Sequence, residues 1–179
     1  MAKYFDELQR AMEFLGEQPD TVFLGQAVEY AGTAMSNTLK NVDNRKLIEM
    51  PVCEEMQMGI TNGFAINGKV PISIFPRWNF LLCAMNQLIN HTDKMTEFSH
   101  GEFNPHAIIR TSVGSQRPLH PQAQHIGDFT HGFWDMVENI EVIHLHEPDQ
   151  IFDAYHKAYT RKDGKSTVLV EFGDFYNEK

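Results

Sequence analysis

Residues 46–75 read KLIEMPVCEEMQMGITNGFAINGKVPISIF. Lys46 to Met50 is a strand candidate, and Pro51 halts it because proline has no N–H to give to a sheet ladder. Met56 to Ile66 reads as a helix and Val70 to Phe75 as the next strand. Strand, helix and strand in this span make a βαβ unit, and the alternation extends in both directions. Upstream, Phe5, Leu8, Met12 and Leu15 fall at helical spacing in a charged segment. They predict a surface helix stopped by Gly16. Thr21 to Leu24 is a strand candidate followed by Gly25, and a polar helix is expected over Thr33 to Lys40. Downstream comes a helix over Phe80 to Lys94, apolar nearly all round at its start. Strands follow at His106 to Thr111 and Glu141 to Leu145, then an amphipathic helix at Gln150 to Arg161 and a last strand at Ser166 to Phe172. The pattern predicts an α/β fold, a single domain over 1–179 with a doubly wound, mostly parallel sheet and helices on both faces.

Ser112 to Phe133 breaks this rhythm. It is rich in Gly, Pro, His and Gln, and a loop of that length inside a compact domain is usually functional. Net charge is −9 with no run of Lys and Arg, which argues against nucleic acid or an anionic membrane surface as partner. No stretch approaches the roughly 20 apolar residues of a membrane span, and the charged first fifteen residues do not resemble a secretory signal. Two cysteines, Cys53 and Cys83, are too few for a disulfide framework. They point to a reducing, cytoplasmic setting, with both expected as buried structural thiols.

From Pro51 to Lys94 the chain resembles, without an apparent gap, the central segment of the beta subunits of pyruvate and branched-chain 2-oxoacid dehydrogenases. It is more distantly similar to the middle domain of transketolase and of deoxyxylulose-phosphate synthase. The residues that carry this are Pro51, Val52, Cys53 and Glu54 against Pro-Ile-Ser-Glu, then Gly59, Gly63, Gly68 and Pro71. Trp78-Asn79-Phe80 and Gln87 to Asn90 complete the segment. A weaker resemblance runs from near Val22 and through Pro105 to Arg110, Gln124-His125 and the strand ending in Glu171. There are departures. Gln26 and Ala27 stand where the family often carries Glu and a second acidic residue. Met56 replaces a glycine, Asn86 an Asp, and Ile126 the Ser of Gln-His-Ser. These bear on the substrate more than on the cofactor.

The resemblance implies the pyrimidine-binding domain of a thiamine-diphosphate enzyme. Such a cofactor is activated when a carboxyl group exchanges a proton with the pyrimidine ring nitrogen. That carboxyl should sit at a strand end in a poorly hydrated pocket, where burial favours the neutral acid. Glu54, after an apolar strand and at the opening of a helix, fits; a glutamate placed only to favour the helix terminus is the plainer reading, and Glu55 fits that better. Phe80 is implied to stack on the pyrimidine, with Val52 and Cys83 bordering it, whereas Trp78 and Phe75 read as packing. His125 is implied to handle protons on the substrate, with His131 a weaker candidate in the same loop. His144 and His146 would share a strand face, yet no Cys-x-x-Cys or His-Glu-x-x-His spacing supports a zinc site with His120 or His125. Arg77 and Arg110 offer charges for a substrate carboxylate or phosphate, or are simply solvated.

The Gly-Asp-Gly segment that holds magnesium and the diphosphate in this superfamily does not occur in the sequence, since Gly127-Asp128 and Gly173-Asp174 are each followed by Phe. Thiamine diphosphate is therefore expected to be shared with an alpha-like partner chain that holds the magnesium, in a heterotetramer inactive without it. Gly59 and Gly63, four apart in a predicted helix, each cost about 1 kcal/mol relative to alanine, and a close helix–helix interface would offset that. The sequence ends at Lys179, where the dehydrogenase beta subunits continue into a further domain. The expectation is thus a two-component enzyme, a split transketolase or a 2-oxoacid-cleaving lyase, acting on a 2-oxo acid or ketose through carbanion chemistry. The rival readings are a non-catalytic interaction protein that keeps the fold, and a small-molecule binding module of flavodoxin-like form.

Overall fold

Strands and helices alternate as the sequence predicts in the computed structural model, which describes residues 3–30 and 33–177. The strands are β1 Thr21–Gly25, β2 Leu47–Glu49, β3 Val70–Ile74, β4 Ile108–Val113, β5 Ile140–His144 and β6 Ser166–Phe172. They form one sheet in the order β2-β1-β3-β4-β6-β5, and every neighbouring pair is parallel. Three longer helices, α1 Tyr4–Glu17, α2 Glu54–Ile66 and α6 Pro148–Thr160, are joined by the short α3 Trp78–Leu81, α4 Met95–Phe98 and α5 Thr130–Trp134.

The sheet is apolar on both faces, as a parallel sheet wrapped by helices must be. Successive side chains leave a strand on opposite sides. Ile108 and Leu169 accordingly join one core, with Leu8, Met12 and Leu15 of α1 and Ile151 and Tyr155 of α6. Ile109, Val168 and Val170 join the other, with Met58 of α2, Trp78 and Leu81 of α3, and Phe133 of α5. Each such buried side chain contributes about 1.5–3 kcal/mol relative to exposure.

Several boundaries differ from the sequence reading. α1 continues through Gly16 to Glu17, because the packing of Leu15 outweighs the roughly 1 kcal/mol that a helical glycine costs. The polar helix expected over Thr33 to Lys40 is only a 3₁₀ turn, Ser36–Leu39. There Thr33 and Ser36 exchange side-chain bonds with each other's backbone N–H at 3.2 and 3.1 Å, local contacts that compete with a regular helix. The single helix expected over Phe80 to Lys94 is interrupted. α3 gives way to a 3₁₀ turn at Leu82–Ala84 and a π turn at Gln87–Thr92. The π turn widens where Thr92 Oγ1 lies 2.9 Å from the Gln87 carbonyl and 2.7 Å from Asn62 Oδ1 of α2. β4 begins two residues after His106, whose ring Nε2–H instead donates to the Ala158 carbonyl at 2.7 Å. No described helix is long and apolar enough to cross a membrane.

Candidate functional site

In the order β2-β1-β3 the chain leaves β1 to one side and returns on the other. Loops leaving the strand ends part at such a switch point and open a crevice. Here the crevice is a cavity of about 470 Å³, lined by Gln26 after β1, Pro76 and Arg77 after β3, Gly114 and Ser115 after β4, and Gly173 after β6. Phe80 of α3 forms part of its wall.

Glu54 is the first residue of α2, where the helix dipole favours a carboxylate. The helix begins there, two residues before the predicted Met56. Its side chain is 9% exposed. Gln26 Nε2 donates to one carboxyl oxygen at 3.1 Å, and the other oxygen has no partner among the described residues. Gln57, one turn along α2, fixes this helix end. Its buried Nε2 lies 3.0 Å from the Ile74 carbonyl and 3.1 Å from Ser73 Oγ on β3. Glu55 points elsewhere: it is exposed and accepts from Asn86 Nδ2 at 2.8 Å. Neighbouring glutamates thus have separate surroundings, and Gln26 links only Glu54 to the cavity.

Phe80 is half-buried, with its ring 5.7 Å from that of His125. The irregular loop reaches it by folding down on the end of β4 at Gly114. A Cβ at Gly114 would stand 1.8 Å from the His125 carbonyl oxygen, so only glycine permits the approach. His125 Nδ1 is buried without a hydrogen-bond partner among the described residues. The fold therefore brings Glu54, Phe80 and His125 to one strand-end region. Val52 is not gathered there; it is 81% exposed. Cys83 and Cys53 are exposed too, against the expectation of buried thiols. Cys53 precedes the first turn of α2, and Cys83 faces outward from a 3₁₀ turn whose neighbours Leu81 and Ala84 take the core positions.

Arg110 corrects another expectation. It has no exposure, so it cannot meet a substrate. Its Nε and Nη2 donate to Glu171 Oε1 and Oε2 at 2.5 and 3.0 Å, and its Nη1 donates to Thr38 at 2.8 Å. Tyr155 donates to Glu171 Oε1 at 2.5 Å and Tyr176 to Oε2. Burial, reinforced by the Glu171 charge, pushes both phenols well above their ordinary range. Arg77, by contrast, lines the cavity.

His131, the weaker loop candidate, lies in α5 against Trp134, with ring centroids 4.9 Å apart. It belongs to a cluster around His144, whose ring stands 5.2 Å from that of His146. His144 Nε2 donates to Thr130 Oγ1 at 2.8 Å, and that hydroxyl donates to Asp128 at 2.6 Å. Burial pushes the His144 imidazole below its usual range, outweighing the pull of Asp128. Among the described residues no group of three or more His, Cys, Asp or Glu is arranged to hold a metal ion. Sequence reasoning missed Gln57 and the role of Gly114. Gln57 had a signal, its place one helical turn beyond Glu54; Gly114 had none, because the loop that needs it is not regular structure.

Residues 2–173 match the family model for the transketolase pyrimidine-binding domain. The chain belongs to that family. Among pyruvate dehydrogenase E1 beta subunits, the mitochondrial protein of Caenorhabditis elegans is 32% identical over 129 residues, 70% of this chain and 36% of that protein. The protein of Gracilaria tenuistipitata var. liui is 31% identical over 120 residues, 64% of this chain and 37% of that protein. The chain thus spans little more than a third of the length of these relatives. Among solved structures, a split-gene transketolase, an inactive beta4 tetramer, superposes with a TM-score of 0.71 at 15% identity, over 96% of this chain and 51% of that one. The transketolase of Campylobacter jejuni gives 0.72 at 12% identity, over 94% and 25%. At these identities the pyrimidine-binding-domain fold is what is shared.

Proposed function

We propose that this chain is the pyrimidine-binding subunit of a thiamine-diphosphate-dependent enzyme, with Glu54 as the acid that activates the cofactor. The observation that carries the reading is the setting of Glu54: a nearly buried carboxyl next to the crevice wall, which among the described residues accepts only from Gln26 of that wall and has no partner for its second oxygen. A pyrimidine ring nitrogen is a group that such an oxygen can share a proton with. Phe80 offers a flat face for a heterocycle, and a cavity of about 470 Å³ accommodates one. The residues present therefore fit the aminopyrimidine end of the cofactor. When bound, the cofactor supplies a thiazolium carbon that takes up charge from a bond broken next to a carbonyl.

The roles of the chain's own residues follow. Glu54 holds or releases a proton at one carboxyl oxygen, Gln26 fixes the other, and Phe80 orients the ring. His125, with its unpartnered Nδ1, is the candidate to move a proton on the substrate. Val52 and Cys83, exposed beside α2 and α3, are assigned to the rim that a partner chain closes over. The diphosphate and magnesium go to that alpha-like partner, in a heterotetramer acting on a 2-oxo acid or ketose. The open face of α2 supports a partner. Gly63 has nothing within 4 Å of a notional Cβ, and Met56 and Ile60 are exposed on the same helix.

Glu54→Gln tests the assignment in the complex reconstituted with the partner, which co-purification and mass spectrometry would identify. Hydrogen–deuterium exchange at the thiazolium carbon, followed by quenched NMR, should fall by about a hundred- to ten-thousandfold. Glu55→Gln should exchange as the wild type does. Equal exchange in Glu54→Gln and wild type overturns the reading, and a loss confined to Glu55→Gln moves the acid by one residue.

A further inference from the structure

The cavity carries a charge asymmetry that cofactor activation by Glu54 does not use. The chain has a net charge of −9, yet among the described residues no Asp or Glu lines this cavity, while Arg77 and Arg117 both do. Its β1 side is made by Gln26 and Ala27, both uncharged. Glu54 reaches the lining only through Gln26.

Arg77 is half-buried at the start of α3, and among the described residues it has no carboxylate partner. Its aliphatic stem runs along the end of β4: a Cβ at Gly114 would meet Arg77 Cδ at 3.3 Å. Arg117 is held in place through its backbone. Asp174 Oδ1 accepts from the N–H groups of Gln116 and Arg117 at 2.8 and 3.1 Å and from Ser115 Oγ at 2.8 Å. Burial pushes the Asp174 carboxyl up, but these bonds and the Arg117 charge together outweigh it and hold the group below its ordinary range. The Arg117 guanidinium itself stands off, with Nε 3.8 Å from Asp174 Oδ1 and its terminal nitrogens without a hydrogen-bond acceptor among the described residues. Two guanidinium groups therefore meet one concave surface with most of their donors uncommitted. For half-buried Arg77, partial withdrawal from water without an anion is unfavourable; the Arg117 side chain is 73% exposed and stays solvated beside Asp174. The planar fork of each matches the oxygens of a carboxylate or phosphate.

We propose that Arg77 and Arg117 form an oxyanion-binding subsite in this cavity, for the carboxylate or phosphate of a small molecule. A cavity of about 470 Å³ is of the size that holds a metabolite rather than a protein segment. Assigning the anion to the substrate rests on the thiamine-dependent function above; binding of the anion does not. The two guanidinium groups would anchor the charged end of the substrate away from its reacting carbonyl and so set specificity.

The subsite can be tested on the 179-residue chain alone by NMR titration with inorganic phosphate and, separately, with malonate, at constant low ionic strength. The expected result is a saturating shift at the Arg77 and Arg117 side-chain N–H signals and the Gly114–Arg117 amides with at least one probe. A stronger response to phosphate assigns a phosphoryl group, and a stronger response to malonate a carboxylate. Arg77→Met should weaken binding by about tenfold or more, the loss of charged hydrogen bonds, and Arg77→Lys should restore part of it. Arg45→Met, at an exposed arginine paired with Asp43, should change nothing. Should the Arg77→Met spectrum show loss of fold, Arg117→Met, at a largely exposed side chain, is expected to weaken binding in the same way. Failure of both probes to saturate, or an unchanged titration in a folded Arg77 or Arg117 variant, overturns the subsite. Anion binding that survives alongside an unaffected thiazolium exchange in Glu54→Gln would separate the two proposals.

Discussion

Glu54 and Glu171 both stand towards the C-terminal edge of the sheet, and they are held in opposite ways. Glu171 has no exposure and accepts four donations, two from Arg110 and one each from Tyr155 and Tyr176. That accounts for all the lone-pair sites of a carboxylate. Among the described residues Glu54 accepts one, from Gln26, a residue of the crevice wall. The first charge is matched within the chain and belongs to the architecture: it ties β4 and β6 to α6 and to the turn after β6. The second is left partly unmatched. A carboxyl in that state gives up stability that a ligand can restore, which is how a binding group differs from a structural one.

Stability measurements can break this contrast. Glu171→Gln leaves Arg110 buried without its counter-charge and should cost about 3–5 kcal/mol, read from urea denaturation midpoints. Glu54→Gln should cost less than about 1 kcal/mol by the same measurement, since a single part-buried hydrogen bond is exchanged for another. Comparable losses in the two variants would mean that Glu54 is as structural as Glu171. The next effect concerns the exposed face of α2. Gly63→Leu places a large side chain where no described residue lies within 4 Å of the new Cβ, so the fold should be kept and assembly with a partner weakened. Light scattering of the reconstituted complex measures it, and an unchanged mass at micromolar concentration would remove α2 from the interface.

The smallest expected effect lies at His144. Burial lowers the pKa of its imidazole against the attraction of Asp128, with His146 and His131 adding repulsion. The unfolded chain, with an ordinary value near about 6.5, then binds a proton more readily than the folded one. The stability from this group is complete above that value and is lost as pH falls through it towards the folded value. Unfolding midpoints taken between about pH 7.5 and 5.5 should decline less in His144→Gln than in the wild type. Parallel profiles would show that Asp128 and Thr130, whose Oγ1 also accepts from Trp78 Nε1 at 3.0 Å, hold the loop without help from the imidazole.

Particular residues show how far the sequence could be read. The final strand, Ser166 to Phe172, is observed with the predicted ends, because its β-branched and apolar run is buried on both faces of the sheet. Glu54 and Phe80 were picked out through their place in a family motif, and the fold puts both beside the switch-point crevice. Arg77 and Arg110 look alike as sequence, one basic residue each near a strand. Pairing of β4 with β6 sends Arg110 to Glu171, while the turn after β3 leaves Arg77 in the cavity. The cysteines failed for a similar reason: residue type favours burial, but position on a turn decides it.

By itself the sequence determined the alternation of strands and helices, the single α/β sheet and the residues that carry the family motif. These depend on local periodicity, on turn-forming residues and on motif order along the chain. Only the tertiary structure decided which charges are matched. Arg110 and Glu171 are 61 residues apart, and Gln26 and Glu54 are 28 apart. Whether a carboxyl is saturated or left open depends on which strands lie side by side, and a switch-point crevice comes into being only when they do.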